Sequence, residues 1–225
     1  MRPTPRIGTR RKTRLAKSGD PLSQVLASGA LRAVVLYFAT HEEESSTVRG
    51  LARATGLGLG SVEAELERLL RLNVLERHAA GREIRHSLRG REPLWVALRA
   101  LVRAVAPAVD VLRVALTDVA GIEDAFVFGS TASGHARSDS DVDLLVIGAP
   151  DERTFARRTL DAGTVLGREV NTVLLTPAEW AAKRTTKRGF WTNVLASPKQ
   201  WIVYRGTPLL VARQHQPSAG SGSAA

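Results

Sequence analysis

The pattern of apolar and polar residues changes twice along the chain. Up to about Leu72 the apolar residues recur with a helical period, which predicts helices at 29–40 and 47–55 and a third helix capped by Ser61. Two short strand-like runs follow at 74–79 and 82–88 around Ala80 and Gly81, and they predict a hairpin. From Ala125 onward strand-like and helical segments alternate.

Two more helices are predicted between these regions. One carries an apolar stripe, and the other begins at Pro107, a residue favoured in the first turn of a helix. Their apolar faces either pack against the chain's own domains or form the interface of a homodimer. The predicted organisation is therefore a domain at 21–90, connecting helices at 91–120 and a domain at 121–212. The inward positions are Leu94, Leu98, Leu101 and Val105 on the first helix, and Val109, Leu112 and Leu116 on the second.

Composition limits the chemistry that the chain can perform. It has 225 residues, a formal net charge of +10 and no cysteine, which excludes disulfide scaffolds and cysteine-ligated zinc sites. Seven basic residues and no acidic residue lie within the first 17 positions. We expect a disordered arm at 1–20, which is either a solvated leader or an arm attracted to nucleic-acid phosphates.

The C-terminal segment and the length of the apolar runs lead to two further expectations, one about disorder and one about location. The segment 213–225, rich in glycine and serine, is expected to be disordered. No uncharged apolar run approaches the roughly 18 residues that span a bilayer. We therefore expect a cytoplasmic protein without a membrane partner.

The three helices and the hairpin, with the segments 47–56 and 61–69, resemble bacterial winged-helix regulators. The resemblance implies a mainly α winged helix-turn-helix domain whose third helix enters the major groove of DNA. The candidate nucleic-acid contacts are Arg49, Arg53, Ser61, Arg82 and Arg85. Three glutamates on the third helix oppose this hypothesis because carboxylates repel phosphates. The domain thus either binds DNA or holds another protein or an RNA.

A candidate catalytic site lies at 125–147. The apolar run 125–128 ends at Gly129 and Ser130, which suit a tight turn where backbone N–H groups and a hydroxyl bind phosphate oxygens. Asp141 and Asp143 open the next apolar run, and positions i and i+2 of a strand share a face. Two adjacent carboxylates repel each other, and a hard divalent cation such as Mg²⁺ compensates them.

This stretch is similar to the signature of the DNA polymerase β-like nucleotidyltransferase superfamily, especially its minimal bacterial members. The similarity extends over about 85 residues to roughly Arg205. It implies an α/β (α+β) nucleotidyltransferase fold with a mixed sheet, Mg²⁺, and a nucleoside triphosphate, expected to be ATP. By position, Gly129 and Ser130 match the phosphate-binding turn, and Asp141 and Asp143 match the metal ligands.

The resemblance also implies a third carboxylate on a neighbouring strand. The strand-like segment 167–175 places Glu169, Asn171 and Val173 on one face, and we assign Glu169 as a catalytic residue and as a shared ligand of a possible second metal. The register of that strand stays open, and Asp161 competes for the role. Many minimal members have arginine after the glycine and serine, where this chain has Thr131. The possible substitutes are Arg137, Lys183, Lys187 and Arg188.

The preferred interpretation is Mg²⁺-dependent transfer of a nucleoside monophosphate to a protein or tRNA hydroxyl, with the winged helix binding DNA or selecting the partner. Small domains of this superfamily occur in toxin–antitoxin modules, and the resemblance implies such a setting by analogy only. One alternative is a non-enzymatic DNA-binding regulator that senses nucleotide, and another is an adaptor that holds a partner protein. Four aromatic residues are expected mainly in the core, with base stacking open for one of them: Trp180, Phe190, Trp191 and Trp201.

Overall fold

The computed structural model describes residues 26, 28–90, 92–135, 137, 140–185 and 189–210. The predicted arm at 1–20 and the predicted tail at 213–225 lie outside these residues, as do Lys187 and Arg188. Within the described ranges, none of the helices has both the length and the apolar character that crossing a membrane requires.

The N-terminal region contains the predicted helices and hairpin in the predicted order. The helices are α1 (Gly29–Thr40), α2 (Val48–Thr55) and α3 (Leu59–Arg71), and the antiparallel strands are β1 (Leu75–Ala80) and β2 (Glu83–Leu88). Side chains cap the first two helices, because Ser28 accepts from the N–H of Leu31 and Thr47 from that of Gly50. The predicted cap of α3 was wrong: Gly58 is its N-cap, so Ser61 lies inside the first turn and is exposed.

The two connecting helices are α4 (Pro93–Val105) and α5 (Ala108–Ala115). All eight residues of α5 are buried, and the helix packs against α1 and the sheet domain. The apolar surface of α5 is therefore covered by the chain's own domains. On α4, the predicted inward position of Leu94 was wrong: Leu94 and Val96 are exposed, whereas Trp95 and Val102 are buried.

The C-terminal region forms a mixed five-stranded sheet with helices on both faces, as predicted. The strand order is β5-β4-β3-β6-β7, in which β4 and β5 are parallel and the other neighbours are antiparallel. The elements are β3 (Ile122–Phe128), α6 (Gly129–Ser133), β4 (Val142–Gly148), α7 (Glu152–Leu166), β5 (Val170–Leu175), α8 (Pro177–Arg184), α9 (Phe190–Ala196), β6 (Gln200–Tyr204) and β7 (Thr207–Pro208).

Side-chain alternation on the central strands separates two apolar layers. Val142, Leu144 and Val146 of β4 join a core that includes α5, α7 and the N-terminal helices. Leu145 and Ile147 point to the opposite face, where Trp180 of α8 and Val194 of α9 cover the sheet. Because residues i and i+2 of a strand share a face, Asp143 belongs to the layer of Leu145 and Ile147.

A buried arginine ties α7 to the N-terminal region. Arg158 is 2% exposed and donates to both carboxylate oxygens of Glu44 at 3.0 and 3.1 Å. It also donates to both carboxylate oxygens of Asp118, from Nε over 3.2 Å and from Nη2. Burial raises the pKa of Asp118, but hydrogen bonds from His41 and Arg158 outweigh this and hold that pKa well below its usual range.

His41, Glu44 and Asp118 bring three potential metal-ligand atoms within 4.8 Å of one another. The guanidinium of Arg158 already contacts both carboxylates and supplies the compensating positive charge. We therefore interpret the cluster as an ion-pair network between the two regions of the chain.

Candidate active site

Gly129 begins the turn that follows β3, and its conformation excludes a side chain. Its φ is +71°, in the left-handed region that L-residues adopt only with strain. A Cβ at this position would also lie 2.6 Å from Oδ2 of Asp143. The backbone of the turn therefore touches the carboxylate directly, and Ser130, the next residue, is exposed.

The two aspartates flank the beginning of β4. Asp141 directly precedes the strand and is exposed, whereas Asp143 lies on the strand and is half-buried. Burial raises the pKa of Asp143, and the charge of Asp141 raises it further. The two aspartates thus lie two residues apart at the beginning of β4, where the charge of one disfavours ionisation of the other.

Cross-strand pairing aligns three side chains over the central strands. Asp143 pairs with Phe128 of β3 on one side and with Asn171 of β5 on the other. Residues paired in this way project from the same face of a sheet. Nδ2 of Asn171 donates to Oδ2 of Asp141 over 3.2 Å, so an amide lies beside both carboxylates.

The backbone of Glu169 lies beside the pair, because its carbonyl accepts a hydrogen bond of 2.8 Å from the N–H of Val142, the residue between the two aspartates. Glu169 lies one residue before β5, is exposed, and lines a groove of about 460 Å³ together with Thr159 and Leu160 of α7. Among the described residues, Glu169 forms no three-carboxylate cluster with Asp141 and Asp143. The parallel register pairs Val142 with Val170 and Asp143 with Asn171, and the role of Glu169 as a third ligand stays a prediction.

Asp161, the competitor for the third carboxylate, lies elsewhere. It is on α7, where burial raises its pKa while the charges of Arg158 and Arg157 lower it. It lines a cavity of about 230 Å³ with His41 and Glu43, next to the N-terminal region. Asp161 is therefore part of the contact between α7 and the N-terminal region.

Arg168 braces the turn and the Asp141 loop, and the sequence analysis missed it. Its Nη2 donates to Oγ1 of Thr131 over 3.0 Å and to the carbonyl of Asp141 over 3.3 Å, and its Nε donates to the carbonyl of Ser140. The cation thus reaches the turn from the segment before β5. Thr131, which departs from the family pattern, is the residue that accepts it.

Two of the residues predicted to substitute for the missing arginine, Arg137 and Lys183, lie in different places. Arg137 is exposed, and its backbone N–H donates to Oγ of Ser140 over 3.0 Å. The ammonium of Lys183 lies 5.3 Å from the ring centre of Trp191 on the face that carries Asp143. Lys183 therefore places a positive charge among the aromatic side chains of this face.

The predicted nucleic-acid contacts fall into two groups. Arg49 and Arg53 are exposed and line a groove of about 740 Å³ between α2, α3 and β2. Arg82 is exposed at the tip of the hairpin. Arg85 instead donates from Nε to Oγ of Ser45 over 2.9 Å and thereby holds the hairpin to the loop before α2.

The glutamates of α3 also differ from one another. Glu65 is buried and accepts a hydrogen bond of 2.7 Å from the hydroxyl of Ser28. Glu63 and Glu67 are exposed on the same helix, and Glu67 lies 3.9 Å from a guanidinium nitrogen of Arg77. The outward face of α3 therefore keeps two carboxylates.

Comparisons with known proteins relate the C-terminal region to nucleotidyltransferases. Residues 111–190 match the family model described as a nucleotidyltransferase domain, a range that contains the turn, both aspartates and Asn171. This part of the chain is therefore similar to nucleotidyltransferase domains. The crystal structure of a candidate nucleotidyltransferase from Sulfolobus solfataricus is similar at 16% identity and a TM-score of 0.28, covering 54% of this chain and 97% of that one. No curated protein matches the chain.

Proposed function

We propose that this protein is a Mg²⁺-dependent nucleotidyltransferase that moves a nucleoside monophosphate from a triphosphate, ATP in the first instance, to a macromolecular hydroxyl. The observation that carries the proposal is the contact between the Gly129 turn and Asp143, with Asp141 two residues away. A turn suited to phosphate and a pair of interacting carboxylates thus meet at one point of the range that is similar to nucleotidyltransferase domains.

The chemistry of the donors fits a hard divalent cation. Asp141 and Asp143 offer carboxylate oxygens, the ligands that Mg²⁺ prefers, and burial together with the negative charge of Asp141 raises the pKa of Asp143. When bound, Mg²⁺ would neutralise phosphate charge and favour departure of pyrophosphate. With Asn171 in the neighbouring register position, the side chains provide charge for one such ion more readily than for two.

The chain's own groups would orient the triphosphate. The N–H groups of the turn and the hydroxyl of Ser130 are suited to donate to phosphate oxygens, while Arg168 holds the turn against the Asp141 loop. The acceptor hydroxyl would attack the α-phosphorus, form a new P–O bond and release its proton to solvent. The bond to the β-phosphate would break, so pyrophosphate leaves with the bonding electrons.

We further propose that the N-terminal helices and hairpin form a winged helix that selects the macromolecular partner, a protein or a tRNA. The groove beside α2 combines the cations Arg49 and Arg53 with the exposed apolar side chains of Leu59 and Ile84. Mixed apolar and basic surfaces suit a protein partner, and the exposed Glu63 and Glu67 weaken the case for DNA.

A second function is favoured by one observation. Asn171 is neutral where a third carboxylate would lie beside Asp143, and a site with less negative charge binds metal and nucleotide without efficient transfer. The chain would then be a DNA-binding regulator that senses nucleotide.

Incubation of the protein with each α-labelled triphosphate, Mg²⁺ and a lysate of the host distinguishes these functions. A transferase produces a labelled protein or RNA band with the wild type and none with Asp141→Asn. The sensor produces no band, but binds nucleotide and shows salt-dependent affinity for a specific DNA duplex.

A further inference from the structure

An aromatic ring lies exposed close to the candidate active site. Phe190, the first residue of α9, is 53% exposed, although its ring packs edge-on against Phe128 with centroids 6.0 Å apart. Phe128 itself is buried at 6% exposure. One side of the Phe190 ring is therefore fixed by packing while another part faces solvent.

Strand pairing connects this ring to the carboxylates. Phe128 is the cross-strand partner of Asp143, and such pairs have Cβ atoms about 5 Å apart on one face of the sheet. Phe128 also directly precedes Gly129, so the phosphate-binding turn begins where the strand under the ring ends. The Phe190 ring thus lies on the order of 10 Å from Asp143, on the same face.

The surroundings of Phe190 suit an anionic ligand with a flat, uncharged end. The ring of Trp191 lies 5.0 Å away and holds Phe190 edge-on, and the ammonium of Lys183 lies over Trp191. Among the described aromatic residues of this face, Phe190 alone is exposed, whereas Trp180, Trp191 and Trp201 are half-buried. Packing covers more of those three rings, whereas about half of the Phe190 surface stays open to solvent beside the candidate site.

We propose that the nucleobase of the bound nucleotide stacks on the exposed face of Phe190. This inference rests on the proposed function, because it takes the triphosphate to lie at the Gly129 turn and the two aspartates. It adds the contact that distinguishes a nucleotide from a bare polyphosphate. Stacking tolerates every base, since each presents a flat aromatic face, so the contact supports binding of nucleotides as a class.

The test compares two probes, Mg²⁺-bound ribonucleoside triphosphates and Mg²⁺-bound inorganic tripolyphosphate, whose affinities are measured by titration calorimetry. Phe190→Leu keeps an apolar side chain against Phe128 but removes the aromatic face. It should weaken nucleotide binding by about tenfold, within the range of roughly 5- to 150-fold expected for one stacked base, and leave tripolyphosphate binding unchanged. Phe190→Tyr should retain the wild-type affinity for both probes.

The matched control is Val96→Ala, which removes an equally exposed apolar side chain from α4 and should change neither affinity. Thermal unfolding checks that each variant is folded. If Phe190→Leu does not fold, Phe190→Tyr provides the test, because loss of nucleotide binding in Phe190→Tyr would overturn the inference. Equal weakening of both probes by Phe190→Leu, or no weakening, would also overturn it while the proposed function stands. A wild type that binds neither probe would overturn the proposed function itself.

Discussion

Asn171 donates a hydrogen bond of 3.2 Å to the carboxylate of Asp141, and its Cα is at the same time the register partner of Asp143. An amide therefore occupies the position on β5 that faces both acidic side chains. It stabilises the pair by donating a hydrogen bond but adds no negative charge. The charge of the site, and with it the affinity for cations, is set by two carboxylates.

Replacing this amide by a carboxylate should strengthen cation binding. Asn171→Asp adds a negative charge beside Asp141 and Asp143, so we expect Mg²⁺ affinity to rise roughly tenfold. The variant should also unfold at a lower temperature in chelator and recover on addition of Mg²⁺. Calorimetry and thermal unfolding measure both effects.

The control for that variant is Glu169→Gln, which removes the carboxylate predicted from the sequence. Because the side chain of Glu169 forms no carboxylate cluster with Asp141 and Asp143 among the described residues, this change should leave Mg²⁺ affinity unaltered. Loss of affinity in Glu169→Gln together with no gain in Asn171→Asp would restore Glu169 as the third ligand.

The contact between Gly129 and Asp143 predicts a specific intolerance. Gly129→Ala places a Cβ at 2.6 Å from Oδ2 of Asp143 and strains a residue at φ +71°, so we expect a loss of about 1 to 3 kcal/mol in stability and loss of transfer. Gly134 has φ +76°, but a Cβ added there would meet no other atom within 4 Å. Gly134→Ala should therefore share the backbone strain and spare activity, as unfolding and transfer assays will show.

Arg168 should matter through the positions of other groups. Arg168→Ala removes the bonds to Thr131 and to the Asp141 loop, and we expect kcat/KM to fall roughly ten- to a hundredfold because the turn is no longer held in place. Arg168→Lys should recover little, since an ammonium does not reproduce the planar set of donors. The exposed Arg137→Ala is the control, and an equal loss in that variant would point to general charge instead.

The network around Arg158 should contribute to stability above acidic pH. Arg158→Leu leaves Glu44 and Asp118 without their buried partner and should cost about 2 kcal/mol, reduced from the value for a fully buried pair because both carboxylates are partly exposed. Arg157 also pairs with Glu44 but is 55% exposed, so Arg157→Ala should cost less than about 1 kcal/mol.

The pH dependence follows from the lowered pKa values of Glu44 and Asp118. Burial raises each pKa, but the hydrogen bonds and charges of their partners outweigh it. A lowered folded pKa gives stability that is present above the unfolded values of 4.5 and 3.8 and is lost as pH falls below them. Denaturant unfolding should show a constant difference between wild type and Arg158→Leu above about pH 5 that shrinks below about pH 4.

Local patterns in the sequence predicted most of the fold. The apolar period identified the helices, and alternation around Asp141 and Asp143 identified β4, because both signals depend on neighbours along the chain. The cap of α3 was misplaced by three residues because glycine at 58 caps the helix without a side-chain signal. The apolar face of α5 left two partners open, and only the three-dimensional packing shows that the chain itself covers it.

The site was predictable where its groups are close in sequence and not where they come from a distant strand. Gly129, Asp141 and Asp143 lie within 15 residues of one another, and their combined pattern, together with the family resemblance, predicts them as one site. Asn171 and Arg168 depend on the register between β4 and β5, which a parallel connection through α7 leaves undetermined at the level of sequence. Glu169 and Asn171 are two residues apart, so side-chain alternation places both on the same face and does not decide which of them lies beside Asp143.

The position of the label in the triphosphate distinguishes nucleotidyl transfer from phosphoryl transfer and is the decisive test of the proposed activity. The protein is incubated with Mg²⁺, lysate and ATP, or another triphosphate that it binds, labelled at either the α- or the γ-phosphate, alongside Asp143→Asn. We expect the α-label to enter a macromolecule with the wild type alone and the γ-label to enter none. Incorporation of the γ-label, or equal incorporation of the α-label by Asp143→Asn, would show that nucleotidyl transfer at the two aspartates is wrong.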